Sequence, residues 1–198
     1  YKKNEHQHLQ RNLLLLKNHF YNLLTNNHHP LNQWMVICIN LKTSLKQPQM
    51  KNIIVAGATG YLGSHIVKLL QSQEKSFKAI ARNKQKLLNF GLDESQIITA
   101  EVTKSETLQG ILENADVVIS SVGITRQKDG LTYMDVDYQA NINLLEEAKR
   151  AGVQKFIYIS AVNGDKMRHL KIMAAKEKFV DTLKTSGLAY TVFRPNGF

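Results

Sequence analysis

The stretch KNIIVAGATGYLG, residues 51–63, decides the fold, and SHIVKLL follows it at residues 64–70. A short apolar run ends at Gly57, and Gly60 and Gly63 follow at a spacing of three. Apolar residues then recur at helical spacing. This order predicts a buried strand, a tight glycine turn and an amphipathic helix.

Each glycine of this turn would have a separate structural role. Gly57 would permit the sharp exit from the strand, Gly60 would let a phosphate approach the backbone, and Gly63 would let the helix pack closely. The N–H groups at the helix start would face the anion. Many turns contain two or three glycines, so this turn alone does not establish a dinucleotide site, and the rest of the chain has to support it. The residues of the turn that would contact the dinucleotide are Gly57, Thr59, Gly60, Tyr61, Leu62 and Gly63.

From Met50 onward, strand-like and helical patterns alternate along the chain. Strands are predicted at 52–56, 76–81, 96–100, 115–121, 154–160 and 189–193, and helices near 62–73, 84–90, 104–113, 131–151 and 166–186. Short apolar strands that alternate with helices indicate an α/β protein with a doubly wound parallel sheet, the Rossmann fold. In that fold the ligand crevice lies outside the carboxyl ends of the strands.

Residues 1–49 differ in composition from the rest of the 198-residue chain. They contain no glycine and carry six Lys or Arg residues against one Glu, which is half of the net charge of +10. We therefore predict that a basic leader precedes a working domain at 50–198. The basic charge is interpreted as solvated surface, because no recognition helix or aromatic platform suggests nucleic-acid binding.

Composition also bears on metals, membranes and location. Five of the seven histidines lie in residues 1–49 at irregular spacing with almost no acids nearby, so we expect no metal site. No apolar run reaches the roughly 18 residues that cross a bilayer. The single cysteine, Cys38, excludes an intrachain disulfide and suits a reducing compartment, so we expect a cytoplasmic protein.

The end of the second predicted strand indicates which dinucleotide is bound. An NAD site usually places an acid there to bind the ribose 2′-hydroxyl. This chain has Arg82, with Lys84 and Lys86 close by. A guanidinium suits the 2′-phosphate of NADP, so NADP is preferred over NAD. The alternative, in which these cations only solvate the start of a helix, stays open.

Several ordered motifs resemble the atypical and extended short-chain dehydrogenase/reductase superfamily, in particular its NmrA-like NAD(P)-binding branch. They are GATGYLG at 57–63, AR at 81–82, ADVVISSVG at 115–123, VDYQANINLLEEAKRAGVQKFIYISA at 136–161 and SGLAYTVFRPNGF at 186–198. The resemblance covers residues 51–198 and implies a further substrate region beyond Phe198. It does not identify the substrate, and it leaves open a monomer or a homodimer.

The resemblance also implies roles for individual residues. Glu101 and Val102 would flank the adenine, and Ser120, Ser121 and Val122 would line the cofactor. Ser160 and Lys176 match the catalytic serine and lysine of the superfamily, and Lys176 would also hold the nicotinamide ribose.

The tyrosine that usually donates a proton four residues before that lysine is replaced by Ile172. Tyr158 is expected to point into a layer interface, whereas Tyr138 could face the crevice. One hypothesis is therefore an NADP-dependent oxidoreductase that reduces an unidentified small molecule with another proton source, or with none. The alternative is a redox sensor or assembly factor that binds NAD(P) without catalysis.

Overall fold

The computed structural model describes residues 52–124 and 130–196, and the structural statements below concern these residues. The strands are β1 (Ile53–Ala56), β2 (Phe77–Ala81), β3 (Ile97–Thr99), β4 (Val117–Ser120), β5 (Lys155–Ile159) and β6 (Ala189–Phe193). The α-helices are α1 (Tyr61–Ser72), α2 (Lys84–Leu88), α3 (Ala140–Arg150) and α4 (Lys171–Lys184). Short 3-10 helices lie at Glu94–Gln96 and Ser105–Leu108, and a π-helix lies at Met134–Gln139. Within this part of the chain, no helix is both long and apolar enough to cross a membrane.

The strands form one parallel sheet in the order β3-β2-β1-β4-β5-β6. This confirms the predicted doubly wound α/β sheet. The order reverses between β1 and β4, where Ala56 pairs with Ser120. The carboxyl ends of these two strands therefore lie side by side at the switch point, where ligands bind in such sheets.

The central strands are almost entirely apolar, with Ser120 at the end of β4 as the exception, because both faces of the sheet are covered. Every residue of β1 and of β4 is buried. A strand with one solvated face would alternate apolar and polar residues, whereas a covered parallel strand reads as a continuous apolar run. The main core cluster joins Ile54 and Val118 of these strands to Leu144 and Phe179 of the helices that cover them.

The prediction of a helix at 104–113 is wrong, because only the short 3-10 helix at Ser105–Leu108 forms there. Gly110 takes a left-handed backbone conformation, with φ of 78°, which ends a right-handed helix. Its N–H instead donates to Glu147 Oε1 at 2.8 Å. The helix predicted at 166–186 is also shorter, since α4 begins only at Lys171.

The helix predicted at 131–151 divides into the π-helix and α3. Asn141, fully buried, causes part of this departure from α-helical geometry. Its Nδ2 atom donates to the carbonyl oxygens of Val136, at 3.3 Å, and Asp137, at 3.0 Å. A side chain that bonds to the helix carbonyls competes with the regular backbone ladder.

Candidate functional site

The glycine turn between β1 and α1 can be made only with glycine at two of its positions. Gly57 has φ of 79°, in the left-handed region that side chains disfavour. A Cβ atom on Gly63 would lie 2.0 Å from the Gly57 carbonyl oxygen, so α1 packs directly on the turn. The Gly60 N–H donates to the same oxygen at 3.0 Å. The turn therefore brings the backbone of α1 to the carboxyl end of β1.

The start of α1 is open to an anion. Gly60 caps the helix without a side-chain hydrogen bond, and no acid lies in the first turn. Thr59, Gly60 and Tyr61 are exposed, whereas Leu62 is half-buried. The first N–H groups of a helix have no acceptor within it and carry the positive end of its dipole. This end of the helix suits a phosphate group, as predicted for the turn.

The residues after β4 close the other side of the turn. The Ser121 hydroxyl lies 3.1 Å from the Ala56 carbonyl oxygen, to which it donates. The side chains of Ser120 and Val122 are buried, and the Ser120 hydroxyl donates to Asn141 Oδ1 at 2.5 Å. Of the three serine and valine positions predicted to line the cofactor, only Ser121 thus brings its side chain to the glycine turn.

Arg82 lies directly after β2, and its side chain is 62% exposed. Its Nη1 atom is 3.7 Å from Glu101 Oε1, and Lys104 Nζ is 3.6 Å from Glu101 Oε2. Glu101 therefore stands between two cations at the end of β3. Val102 is half-buried against the core, and its carbonyl oxygen accepts a hydrogen bond from Asn143 at 3.0 Å. The structure brings Arg82 and Glu101 together, as two neighbouring strand ends should.

Lys176, on α4, reaches the carboxyl end of β4. Its Nζ atom lies 2.8 Å from Asp137 Oδ1, and the two side chains are 13% and 0% exposed. A Cβ atom on Gly123 would lie 2.7 Å from this Nζ atom, so the ammonium group touches the exposed backbone of Gly123. Burial raises the pKa of Asp137, and the charge of Lys176 opposes that rise. The pair places a cation beside Gly123, in the segment that follows β4.

Ser160 belongs to a separate buried network. Its hydroxyl donates to Glu177 Oε1 at 2.7 Å, and Glu177 Oε2 accepts from Arg194 at 2.5 Å. Ser160 and Glu177 are both buried. The two predicted catalytic residues, Ser160 and Lys176, therefore have different carboxylate partners. A substrate oxygen would have to replace Glu177 to accept the Ser160 proton.

The two tyrosines considered as proton donors, Tyr158 and Tyr138, both pack against the core. Tyr158 is fully buried, and its ring meets Phe179 edge-on at 4.6 Å, as expected for a residue at a layer interface. Burial, and then the charges of Asp137 and Glu177, raise the pKa of the Tyr158 hydroxyl well above its ordinary value. Tyr138 packs against the core, with Lys178 Nζ 4.3 Å from its ring centre.

Sequence reasoning missed Asp137, Asn141 and Glu177, the buried polar residues that fix the site. A signal was present, because Asp137 and Asn141 fall at helical spacing with the core residues Leu144 and Ala148. Polar residues within an apolar stripe are expected to have buried partners.

No group of three or more His, Cys, Asp or Glu side chains that could hold a metal ion occurs at 52–124 or 130–196. The histidines considered at the sequence level, and the leader at 1–49 as a whole, lie outside the described residues.

Comparison with known proteins agrees with this geometry. Among the relatives, the photosystem II assembly factor Ycf39 of Guillardia theta is 29% identical over 147 residues, which cover 74% of this chain and 46% of that protein. The chloroplastic divinyl chlorophyllide a 8-vinyl-reductase of Cucumis sativus is 30% identical over 169 residues, 77% of this chain and 40% of the enzyme. The chain thus spans less than half the length of these two relatives.

Among solved structures, the NADPH-dependent quinone oxidoreductase QOR2 of Escherichia coli superposes with a TM-score of 0.58. It is 24% identical, and the match covers 72% of this chain and 48% of QOR2. This likeness shows the fold. The model of one protein family, described as NAD(P)H-binding, matches residues 57–198, from the first glycine of the turn onward. The chain belongs to this NAD(P)H-binding family, within the atypical short-chain dehydrogenase/reductase group.

Proposed function

We propose that the chain is an NADP-dependent oxidoreductase that reduces a small organic acceptor. The observation that carries the proposal is the glycine turn at the switch point, with an open helix start on one side and Lys176 on the other. The backbone at Gly57, Gly60 and Gly63 would hold the pyrophosphate, and Ser121 would close that end of the crevice. When bound, the reduced nicotinamide supplies a hydride.

The preference for NADP rests on Arg82. Its guanidinium is mostly exposed at the end of β2, where it can donate two hydrogen bonds to a 2′-phosphate. Lys104 is a second cation nearby, since it pairs with Glu101, the same carboxylate that pairs with Arg82. An acid at the end of β2, which would bind the 2′-hydroxyl of NAD, is absent from this position, since Arg82 occupies it.

Lys176 would act at the nicotinamide end of the crevice. Its ammonium group lies close to Gly123, is only slightly exposed and is paired with Asp137. From there it can donate hydrogen bonds to ribose hydroxyls and stabilise negative charge that develops on an acceptor oxygen. Because Ile172 has no proton to give, the acceptor would take its proton from water or from Lys176.

Titration of the chain with NADPH and with NADH, followed by nucleotide fluorescence, tests this proposal. We expect NADPH to bind more tightly, and Arg82→Ala to lose most of the difference between the two nucleotides. Lys149→Ala, at an exposed position in the last turn of α3, is the matched control and should change the difference little. Tighter binding of NADH, or an unchanged ratio in Arg82→Ala, would contradict the assignment of NADP.

The second candidate is a protein that binds NADP(H) without turnover, as a sensor or an assembly factor. It is favoured by the state of the usual hydroxyl donors at this site: Ile172 replaces the tyrosine, Tyr158 is buried, and the Ser160 hydroxyl is engaged by Glu177. The similarity to a photosystem II assembly factor supports it as well.

Oxidation of NADPH in the presence of a panel of quinones and enones separates the two candidates. The enzyme should turn over at least one acceptor and lose that activity in Lys176→Met. Tight NADPH binding with no turnover of any acceptor would favour the sensor or assembly factor.

A further inference from the structure

Asp137 is a fully buried carboxylate that connects two parts of the crevice. Its Oδ1 atom lies 2.8 Å from Lys176 Nζ, on α4. Its Oδ2 atom accepts a hydrogen bond at 3.2 Å from the N–H of Ile124, in the segment after β4. One side chain therefore sets the position of the crevice lysine and of the backbone beside it.

The π-helix fixes Asp137 itself. π-helical turns are rare in proteins, and those that do occur are often found at functional sites. Asn141 donates to the carbonyl oxygens of Val136 and Asp137 within the turn, and it accepts from the Ser120 hydroxyl at the end of β4. The turn is thus bound to β4 through Asn141 and to the following segment through Asp137.

Gly123 leaves the space that the ion pair needs. A Cβ atom at this position would lie 2.6 Å from Asp137 Oδ1 and 2.7 Å from Lys176 Nζ. Gly123 is itself exposed, so the pair lies close to the surface at the carboxyl end of β4. A ligand that reaches the Gly123 backbone would also reach the ammonium group of Lys176.

Burial of the Asp137 carboxylate costs desolvation free energy, which an apolar side chain in the same place would not cost. A buried ion pair often contributes no more stability than apolar side chains of the same volume, whereas removal of one partner is strongly unfavourable. Here both oxygens of Asp137 have charged or N–H partners in the two segments that face the crevice. The arrangement therefore specifies positions more than it adds stability.

We infer that Asp137 is a positioning residue for the nicotinamide half of the bound dinucleotide. Its carboxylate holds Lys176 and the Ile124 backbone where that half lies, and it makes no contact with the adenosine half. The inference rests on the proposed function, because it requires that NADPH occupies this crevice.

Two ligands separate a positioning role from a general effect on structure. NADPH has both halves of the dinucleotide, whereas adenosine 2′,5′-bisphosphate has the adenine and the 2′-phosphate but no nicotinamide. Each is titrated by calorimetry into the chain, into Asp137→Asn and into Asp181→Asn. Asp181→Asn is the matched control, because Asp181 lies on α4, the helix of Lys176, and its ion pair with Arg168 is exposed.

We expect Asp137→Asn to weaken NADPH binding about ten-fold, because it removes the buried charge that is paired with Lys176. Binding of adenosine 2′,5′-bisphosphate should stay within about two-fold, and Asp181→Asn should change neither ligand. In a Lys176→Met background, Asp137→Asn should have a much smaller effect on NADPH, because it acts through the lysine.

Equal weakening of both ligands, or no weakening of either, would overturn the inference and leave the proposed function standing. Failure of the unmodified chain to bind NADPH would contradict the proposed function, and the inference with it. If Asp137→Asn does not fold, Gly123→Ala is the second variant, since it displaces the pair and keeps both charges. It should reproduce the selective loss of NADPH affinity, and an unchanged NADPH affinity would overturn the inference.

Discussion

At the scale of single residues, Gly63 shows how closely the turn and the first helix are packed. A methyl group there would lie 2.0 Å from a backbone oxygen, which cannot move without moving β1 or α1. We expect Gly63→Ala to lower the free energy of unfolding by about 1–3 kcal/mol, the usual effect of overpacking. Urea denaturation measures this. Lys68→Ala, at an exposed position of the same helix, should change it by less than about 0.5 kcal/mol, and equal losses would contradict the packing argument.

Glu101 leads to a second prediction at the scale of single residues, which concerns the selectivity between NADPH and NADH. Its carboxylate lies within 3.7 Å of the Arg82 guanidinium, where it competes with a bound 2′-phosphate and repels it. Glu101→Gln should therefore increase the affinity for NADPH relative to NADH, by only about two- to five-fold, because the partly exposed pair is screened by solvent. The ratio of the two dissociation constants measures the effect.

The control for that variant is Glu94→Gln. Glu94 pairs with Lys84 at 3.1 Å, so Glu94→Gln changes the net charge by the same amount and leaves the pair of Arg82 with Glu101 intact. If both variants shifted the ratio equally, the effect would come from net charge and the local role of Glu101 would be refuted.

At the scale of elements, Glu147 joins α3 to the turn at Gly110. Its Oε1 atom accepts from the Gly110 N–H, and its Oε2 atom lies 2.7 Å from Arg150 Nε. The hydrogen bond from Arg150 is the largest cause that lowers the pKa of Glu147 below its ordinary value of 4.5, with the Gly110 N–H adding to it. The ionised carboxylate therefore stabilises the folded state above pH 4.5, and this stabilisation is lost as the pH falls through the lower, folded pKa.

Glu147→Gln should consequently be less stable than the unmodified chain at pH 7, and the difference should decrease as the pH falls below 4.5. Urea denaturation at a series of pH values checks this. Glu113→Gln, which removes the other, exposed partner of Arg150, should show a smaller difference at pH 7. A difference for Glu147→Gln that stays constant down to acid pH would show that the ionised form is not the stabilising one.

Elements also differ in how far the sequence predicts them. The strand predicted at 189–193 coincides with β6, because its apolar run is bounded by turn residues. The helix predicted at 104–113 failed, since its apolar spacing does not reveal that Gly110 would be left-handed. The π-helix could not be predicted from periodicity, because it depends on hydrogen bonds from Asn141 to neighbouring turns.

At the scale of the whole molecule, the parallel sheet and its switch point follow from the alternation of apolar strands with helices. The turn glycines and Arg82 were also placed correctly relative to the sheet, at the carboxyl ends of β1 and β2. The partners of Ser160 and Lys176 could not be found from spacing, because Glu177, Arg194 and Asp137 reach them only through tertiary packing.

The central claim is that the crevice between the glycine turn and Lys176 holds NADPH. A crystal structure of the chain grown with NADPH tests it most directly. The account predicts the pyrophosphate at the start of α1, the 2′-phosphate on Arg82 and the nicotinamide ribose within hydrogen-bond distance of Lys176. NADPH bound at another site, or with its nicotinamide ribose away from Lys176 and Gly123, would contradict it.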